Sequence, residues 1–236
     1  THENAPNGML PISSMYMVNA INADTIVYEG QVLNTLEHPI SISEGWNWLS
    51  YLGQRSMSIN QTLSSLNPSP GDVLKSKTAF CMYASSNLGW LGSLNVMESG
   101  DGYMLKTENV GTLIYPENAS FRVHSSLNEK NQLSDEIWPV VHSKYENSMN
   151  IIAIIDDPEY LLADQANLLG AFTDANCVGN INATKINEEE SLYFISVYGE
   201  LDDQVSFQYF DKNLDYLYST ENLITFEPNK LVGSIE

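Results

Sequence analysis

The segment Gly45-Trp46-Asn47-Trp48-Leu49-Ser50-Tyr51 decides how the first half of this chain folds. Successive side chains of a β-strand point to opposite faces, so the two tryptophans would share one face and Leu49 and Tyr51 the other. The alternation predicts a strand. Large aromatic side chains bury roughly 150–250 Å² each, and we therefore assign Trp46 and Trp48 to the hydrophobic core. A sugar-stacking platform is the alternative for this pair.

One short helix is predicted directly after this strand. Ser58 and Gln61 have the spacing of a capping box, which marks a helix N-terminus. Ile59, Leu63 and Leu66 then recur at helical intervals, so the helix is expected to span roughly residues 59–66. The prolines and glycine at 68–71 end it. Short runs of strand-forming residues bounded by turn formers follow, at 72–75, 79–83, 90–94, 103–106 and 111–115.

The second half contains longer strand-forming runs at 149–155, 168–173, 192–198 and 205–210. Residues 193–198 carry apolar side chains on both faces, which favours a central strand. Residues 205–209 alternate instead, which is typical of a strand with one solvated face. The sequence therefore predicts an all-β protein of two sandwich-like domains, at 13–116 and 138–236. Residues 117–137 lose the periodicity and are interpreted as a linker.

Charge excludes several classes of partner. The chain of 236 residues has 30 acidic and 10 basic residues, a formal net charge of −20, and only two arginines, Arg55 and Arg122. Nucleic-acid binding and docking on anionic lipid both need clustered lysine and arginine, so neither is expected. No apolar run approaches the roughly 18 residues of a membrane-spanning helix, so membrane insertion is not expected. The start at Thr1 suggests a segment of a longer or processed chain.

Local motifs give no sign of an enzyme. The chain has neither a GxSxG elbow, nor a phosphate loop, nor GxGxxG, and its four histidines lack zinc-ligand spacing. Catalytic residues brought together from distant positions stay open at this point. Cys81 and Cys177 are favoured as two separate apolar residues, although a single long-range disulfide is the alternative.

Several motifs resemble a tandem of β-modules found in surface and secreted proteins of Bacteroidota. The first module has a GWNW strand followed by GDVIKSQ-like and GWIGSL-like segments, which correspond here to residues 45–52, 71–77 and 89–94. The second resembles a module with a GAFxxxxCxG segment, at residues 170–179 here, where Val178 stands in place of that module's arginine. The resemblance covers nearly all of residues 13–236.

This resemblance implies an extracellular or cell-surface location within a larger chain exported by type IX secretion. It implies an accessory role without catalysis, either binding or adhesion to a polysaccharide or a cell-surface partner. A structural spacer that presents other domains is the alternative. The modules have no agreed ligand, so candidate site residues must come from this sequence itself.

Trp90 and Tyr83 are the candidate ligand-binding residues. They lie on the two arms of one predicted hairpin, whose loop at 84–89 is short and uncharged. An exposed aromatic pair could stack on a neutral sugar ring, whereas packing against the Trp46 strand is the alternative.

A calcium ion is the only cofactor that the sequence suggests. Asp211, Asn213 and Asp215 have the Asp-x-Asn-x-Asp spacing that begins a calcium loop, but Tyr216 stands where the loop needs glycine. A hairpin turn explains these residues better. In the second domain, Phe172 and Cys177 are assigned to the structural core.

Overall fold

The computed structural model describes residues 11–16, 22, 25, 31–117, 137–155, 166–187 and 190–235. Across these ranges the chain is built mostly from antiparallel strands, with one α-helix, and the predicted all-β fold class is confirmed. Each sheet draws its strands either from residues 40–113 or from residues 148–232. Residues 118–136 of the predicted linker lie outside the described residues.

The first domain is centred on a five-stranded antiparallel sheet in the order β2-β8-β4-β5-β6. Two strand pairs, β1–β9 and β3–β7, complete it. The strands are β1 (Ile40–Ile42), β2 (Gly45–Ser50), β3 (Met57–Ser58), β4 (Val73–Lys75), β5 (Phe80–Ser85), β6 (Gly89–Gly92), β7 (Val96–Met97), β8 (Gly102–Thr107) and β9 (Gly111–Leu113).

The helix α1 (Ile59–Thr62) is shorter than the predicted 59–66. Ser58 is its N-cap residue, as predicted, but its hydroxyl does not bond the helix backbone. Ser58 Oγ instead donates to Gln61 Oε1 at 2.9 Å, so the two side chains of the predicted capping box bond each other. Ile59 and Leu63 are buried in the first domain's core, which explains their helical spacing.

The core of the first domain lies on one face of the five-stranded sheet. Four neighbouring strands of the sheet project side chains into this core: Leu49 from β2, Tyr103 and Leu105 from β8, Leu74 from β4 and Cys81 from β5. The two small strand pairs and α1 pack over the same face.

The second domain is a sandwich of two four-stranded sheets, ordered β13-β14-β10-β17 and β12-β11-β15-β16. All pairings are antiparallel except β10 with β17. The strands are β10 (Ser148–Ala153), β11 (Leu168–Thr173), β12 (Asn176–Asn182), β13 (Thr184–Lys185), β14 (Ser191–Tyr198), β15 (Gln204–Asp211), β16 (Tyr216–Thr225) and β17 (Leu231–Val232).

Strands β14 and β15 behave as their patterns predict. Every residue of β14 is buried, and β14 lies between two neighbours in its sheet. In β15 the buried residues alternate with more exposed ones. Tyr193, Ile195 and Val197 of β14 face Val205 and neighbouring residues across the sandwich core.

The two domains share a buried apolar interface. The outer face of β4 and β5 supplies Val73, Phe80 and Met82, and the outer face of β10 and β14 supplies Ile152 and Phe194. The rings of Phe80 and Phe194 meet edge to face, with centroids 5.8 Å apart. Because both phenylalanines are fully buried, the domains are docked rather than loosely tethered.

The cysteines are unpaired, as favoured from the sequence. Cys81 is buried in the first domain, and Cys177 is partly buried on β12. The Cys177 thiol donates to the Gly179 carbonyl oxygen at 3.3 Å. Separately, none of the helices in the described ranges is long and apolar enough to cross a membrane.

Candidate ligand-binding face

Strand β2 turns its tryptophans away from the core. Leu49 is buried, whereas the Trp48 side chain is 45% exposed and Trp46 is only partly buried. The assignment of Trp46 and Trp48 to the core is therefore wrong. Both faces of this strand are apolar, and the core formed on the face of Leu49 and Tyr51 because α1 and the small strand pairs cover that face.

Cross-strand register places the tryptophans at one end of two rows of side chains on the outer face of the sheet. One row begins with Trp46 and Lys106 and continues to Val73. The next begins with Trp48 and Met104 and continues to Lys75. Directly opposite residues of paired strands have Cβ atoms about 4.5–5.5 Å apart, so each row is a line of neighbouring side chains.

The second domain covers only half of this outer face. Val73 and Lys75 of β4, with the β5 residues beyond them, are buried beneath it. On β2 and β8, by contrast, Trp48 and Lys106 are exposed and Trp46 and Met104 are partly exposed. We call these four residues the β2–β8 face. It combines two indole rings, a flexible thioether and one ammonium group beside the domain junction.

Lys75 joins this face to the second domain. Its ammonium Nζ donates to Asn229 Oδ1 at 2.7 Å and to Ser148 Oγ at 3.3 Å, and both acceptors belong to the second domain. The same nitrogen lies 5.3 Å from the centroid of the Trp46 ring, within the range of a cation–π interaction. No carboxylate of the described residues lies within 4 Å of it. Burial lowers the pKa of the Lys75 ammonium to about 8.

This buried amine predicts a pH-dependent stability. The unfolded chain holds the Lys75 proton up to pH 10.5, whereas the folded protein releases it near pH 8. Between these values the unfolded state binds more protons, so stability rises with pH. From pH 7 to pH 9 the free energy of unfolding should gain about 1 kcal/mol in wild type relative to Lys75→Met. Chemical denaturation of both proteins at the two pH values measures this difference, and parallel pH profiles would contradict it.

The predicted binding pair Trp90 and Tyr83 lies on the core face of the sheet instead. Trp90 is 8% exposed, and the two rings pack edge to face with centroids 5.5 Å apart. The Trp90 backbone N–H donates to Asn60 Oδ1 at 3.0 Å. Gly89, with a φ of 70°, lets the hairpin lie close to the Asn60 side chain, because a Cβ atom on residue 89 would lie only 2.3 Å from Asn60 Oδ1. The expectation of an exposed stacking pair is wrong.

Trp90 does line a small cavity, but the Asp72 and Asn109 side chains that line it with Trp90 are already hydrogen-bonded. The cavity has a volume of about 100 Å³. Asp72 accepts hydrogen bonds from the Ser69 and Glu108 backbone N–H groups and from the Thr107 hydroxyl. Asn109 Nδ2 donates to the Asn67 carbonyl oxygen. Because these polar groups are already bonded to the protein, the cavity is a poorer candidate for ligand binding than the β2–β8 face, where Trp48 is exposed.

Residues 211–215, which resemble the start of a calcium loop, form a hairpin turn, as preferred from the sequence. Asp211 is buried, and its Oδ1 accepts from the Asn213 and Leu214 backbone N–H groups at 2.8 and 3.1 Å. Asp215 has a positive φ of 49°, which fits a turn. Across the described part of the chain, no group of three or more His, Cys, Asp or Glu residues could hold a metal ion.

In the second domain, Phe172 is buried as predicted, but on the outer face of its sheet. The Trp138 ring packs on it edge to face at 5.3 Å, and Gly170 leaves room for that ring. Cys177 is only partly buried and lies outside the core cluster, so its assignment to the core is wrong. It sits on β12, at the end of the sheet order.

Sequence reasoning missed Met104 and Lys106 as site residues, together with Lys75 at the domain junction. Part of this could be predicted from the sequence: residues 102–106 have the pattern of a strand, and Met104 and Lys106, two positions apart, would lie on the same face of it. Nothing in that pattern says that β8 pairs with β2, and this pairing alone puts Lys106 opposite Trp46.

The fold and the face together define an all-β protein of two docked domains with an open aromatic surface beside their junction. No protein-family model, no curated protein and no solved structure matches this chain at a significant level.

Proposed function

We propose that the two domains form one non-catalytic extracellular module that binds a polysaccharide through the β2–β8 face. The observation that carries this proposal is Trp48, a large aromatic side chain that is 45% exposed beside a second, partly exposed tryptophan. An exposed indole is costly in water and is well suited to stack on the apolar face of a sugar ring.

Strand spacing supports a ligand with a repeating unit. Trp46 and Trp48 are two residues apart on one strand face, which separates their Cα atoms by about 7 Å. Met104 lies opposite Trp48 and can adapt its shape to a bound ring. Affinity through one such face is expected to be weak, so several modules acting together on a cell surface would bind more strongly.

The resemblance to Bacteroidota modules supports an extracellular setting for the proposed activity. Within the proposal, the chain is part of a larger protein exported by type IX secretion and acts in adhesion at the cell surface. The formal net charge of −20 fits a soluble, secreted module that avoids nucleic acid and anionic membranes.

The proposal predicts that Trp48→Ala loses polysaccharide binding while the protein stays folded. Titration calorimetry against neutral and acidic oligosaccharides measures this effect, and a loss of at least tenfold in affinity is expected for a stacked ring. Tyr216→Ala is the matched control, because Tyr216 is 57% exposed on the second domain, away from the face. Equal binding by wild type and folded Trp48→Ala would remove the β2–β8 face from the proposal.

A structural spacer is the second candidate function, and the domain interface favours it. Phe80 and Phe194 are fully buried between the domains, so the pair can hold a fixed orientation as a rigid rod. A glycan array on which no glycan binds wild type would leave the spacer as the better proposal. A cell-surface protein bound through Trp48 would instead keep the face and change the class of partner.

A further inference from the structure

We infer that the polysaccharide recognised by the β2–β8 face is acidic, carrying a carboxylate or sulfate group next to the ring that stacks on tryptophan. This inference rests on the proposed function and deepens it, since it names the chemical class of ligand. The sequence favoured neutral sugars because of the net charge of −20. The local arrangement of charge on the face points the other way.

Lys106 places an available cation beside the stacking surface. It is exposed and lies directly opposite Trp46 in the β2–β8 register, so the two side chains share the outer face. In the described ranges, no carboxylate comes within 4 Å of its ammonium group. The nearest acidic positions along these two strands, Glu44 and Glu108, lie beyond the strand ends. An anionic group on a stacked sugar could therefore pair with Lys106 without displacing an ion pair.

Lys75 adds a second positive charge beneath the same tryptophan. Its Nζ lies 5.3 Å from the Trp46 ring centroid, and among the described residues it is bonded to two neutral oxygens, those of Ser148 and Asn229. With its pKa lowered to about 8, the amine is still mostly protonated at pH 7. Two of the ten basic residues of the chain thus flank one indole ring.

Whether an anionic sugar is attracted by Lys75 and Lys106 or repelled by the net negative charge of the chain depends on the distances between the charges. At physiological ionic strength, exposed charges more than about 8 Å apart are largely screened. An anionic group within a few ångströms of Lys106 would be attracted to it, whereas an acidic residue farther from that group than the screening length would repel it only weakly. The net charge therefore slows the approach of a polyanion more than it weakens the bound state.

The test compares two oligosaccharides of equal length, a polymannuronate and a neutral β-glucan, by titration calorimetry at pH 7. We expect wild type to bind the acidic oligomer about threefold to fivefold more tightly, as one surface ion pair allows. Lys106→Gln should remove this preference, and Lys106→Arg should retain it. Lys212→Gln is the matched control, because Lys212 is also exposed but lies on the second domain. Raising the salt to 0.5 M should reduce the preference in wild type, by about the same factor as Lys106→Gln does.

The outcomes separate this inference from the proposed function. If wild type and Lys106→Gln show the same ratio of affinities, but Trp48→Ala loses binding, the inference fails and the proposed function stands. The same conclusion follows if the neutral oligomer binds more tightly to wild type. If neither oligomer binds, or if folded Trp48→Ala binds both as wild type does, the proposed function fails and the inference fails with it.

Discussion

Replacing Trp90 with alanine is expected to lower the free energy of unfolding of the protein by about 3–5 kcal/mol. Trp90 is 8% exposed, packs edge to face on Tyr83 and belongs to the core cluster. Removing its ring leaves a cavity in an interior that cannot fully collapse around it, because the hairpin is held by the Trp90 N–H bond to Asn60. Urea denaturation followed by circular dichroism measures the loss.

Trp48→Ala is the matched control for this prediction, since both changes delete the same side chain from the same domain. Trp48 is 45% exposed on the outer face, so its loss should cost about 1 kcal/mol or less. A substitution at Trp48 that destabilises the domain as much as one at Trp90 would contradict the placement of the two faces of the sheet.

Phe194→Ala is expected to destabilise the protein by about 3–5 kcal/mol and to weaken the coupling between the domains. Phe194 is fully buried, and its ring meets Phe80 of the other domain with centroids 5.8 Å apart. Wild type should unfold in a single thermal transition because each domain covers the other's apolar face. The Phe194→Ala variant should show two separated transitions in scanning calorimetry.

A double-mutant cycle separates coupling across the interface from damage within one domain. Phe80→Ala, Phe194→Ala and the double variant should give an interaction energy of about 1 kcal/mol, as measured for other edge-to-face aromatic pairs. Strictly additive losses would show that the rings do not stabilise each other.

Strands β14 and β15 of the second domain could be predicted from the sequence because the pattern of each had one interpretation. Over residues 205–209 of β15 only one face is apolar, so the alternation indicated both the strand and its buried side, and the structure confirms it. In β14 both faces are apolar, which correctly indicated burial on both sides. The pattern could not show what covers each face: one side packs in the sandwich core, and the other meets Phe80 of the first domain.

The candidate site was harder to predict because tryptophans on the same sheet have opposite environments: Trp90 is buried in the core, whereas Trp48 is exposed on the outer face. Trp90 was expected to be exposed because glycines and a short loop surround it. The loop is short, but Trp90 lies on the core face of the sheet. Only the pairing of β5 with β6 determines that Trp90 lies on the same face as Cys81. Lys106 belongs to the candidate site only because the pairing of β2 with β8 places it opposite Trp46, a residue 60 positions away in the chain.

The sequence by itself determined that β2 is a strand and that Trp46 and Trp48 share one of its faces, because a strand has a side-chain period of two. It could not determine which face is buried, since Leu49 and Tyr51 make the opposite face equally apolar. Only the tertiary structure decided this. The helix and the small strand pairs cover the face of Leu49, while the second domain covers β4 and β5 on the other side and stops short of β2. Burial depends on what packs against a surface, and the partner surface is set by contacts distant in the sequence.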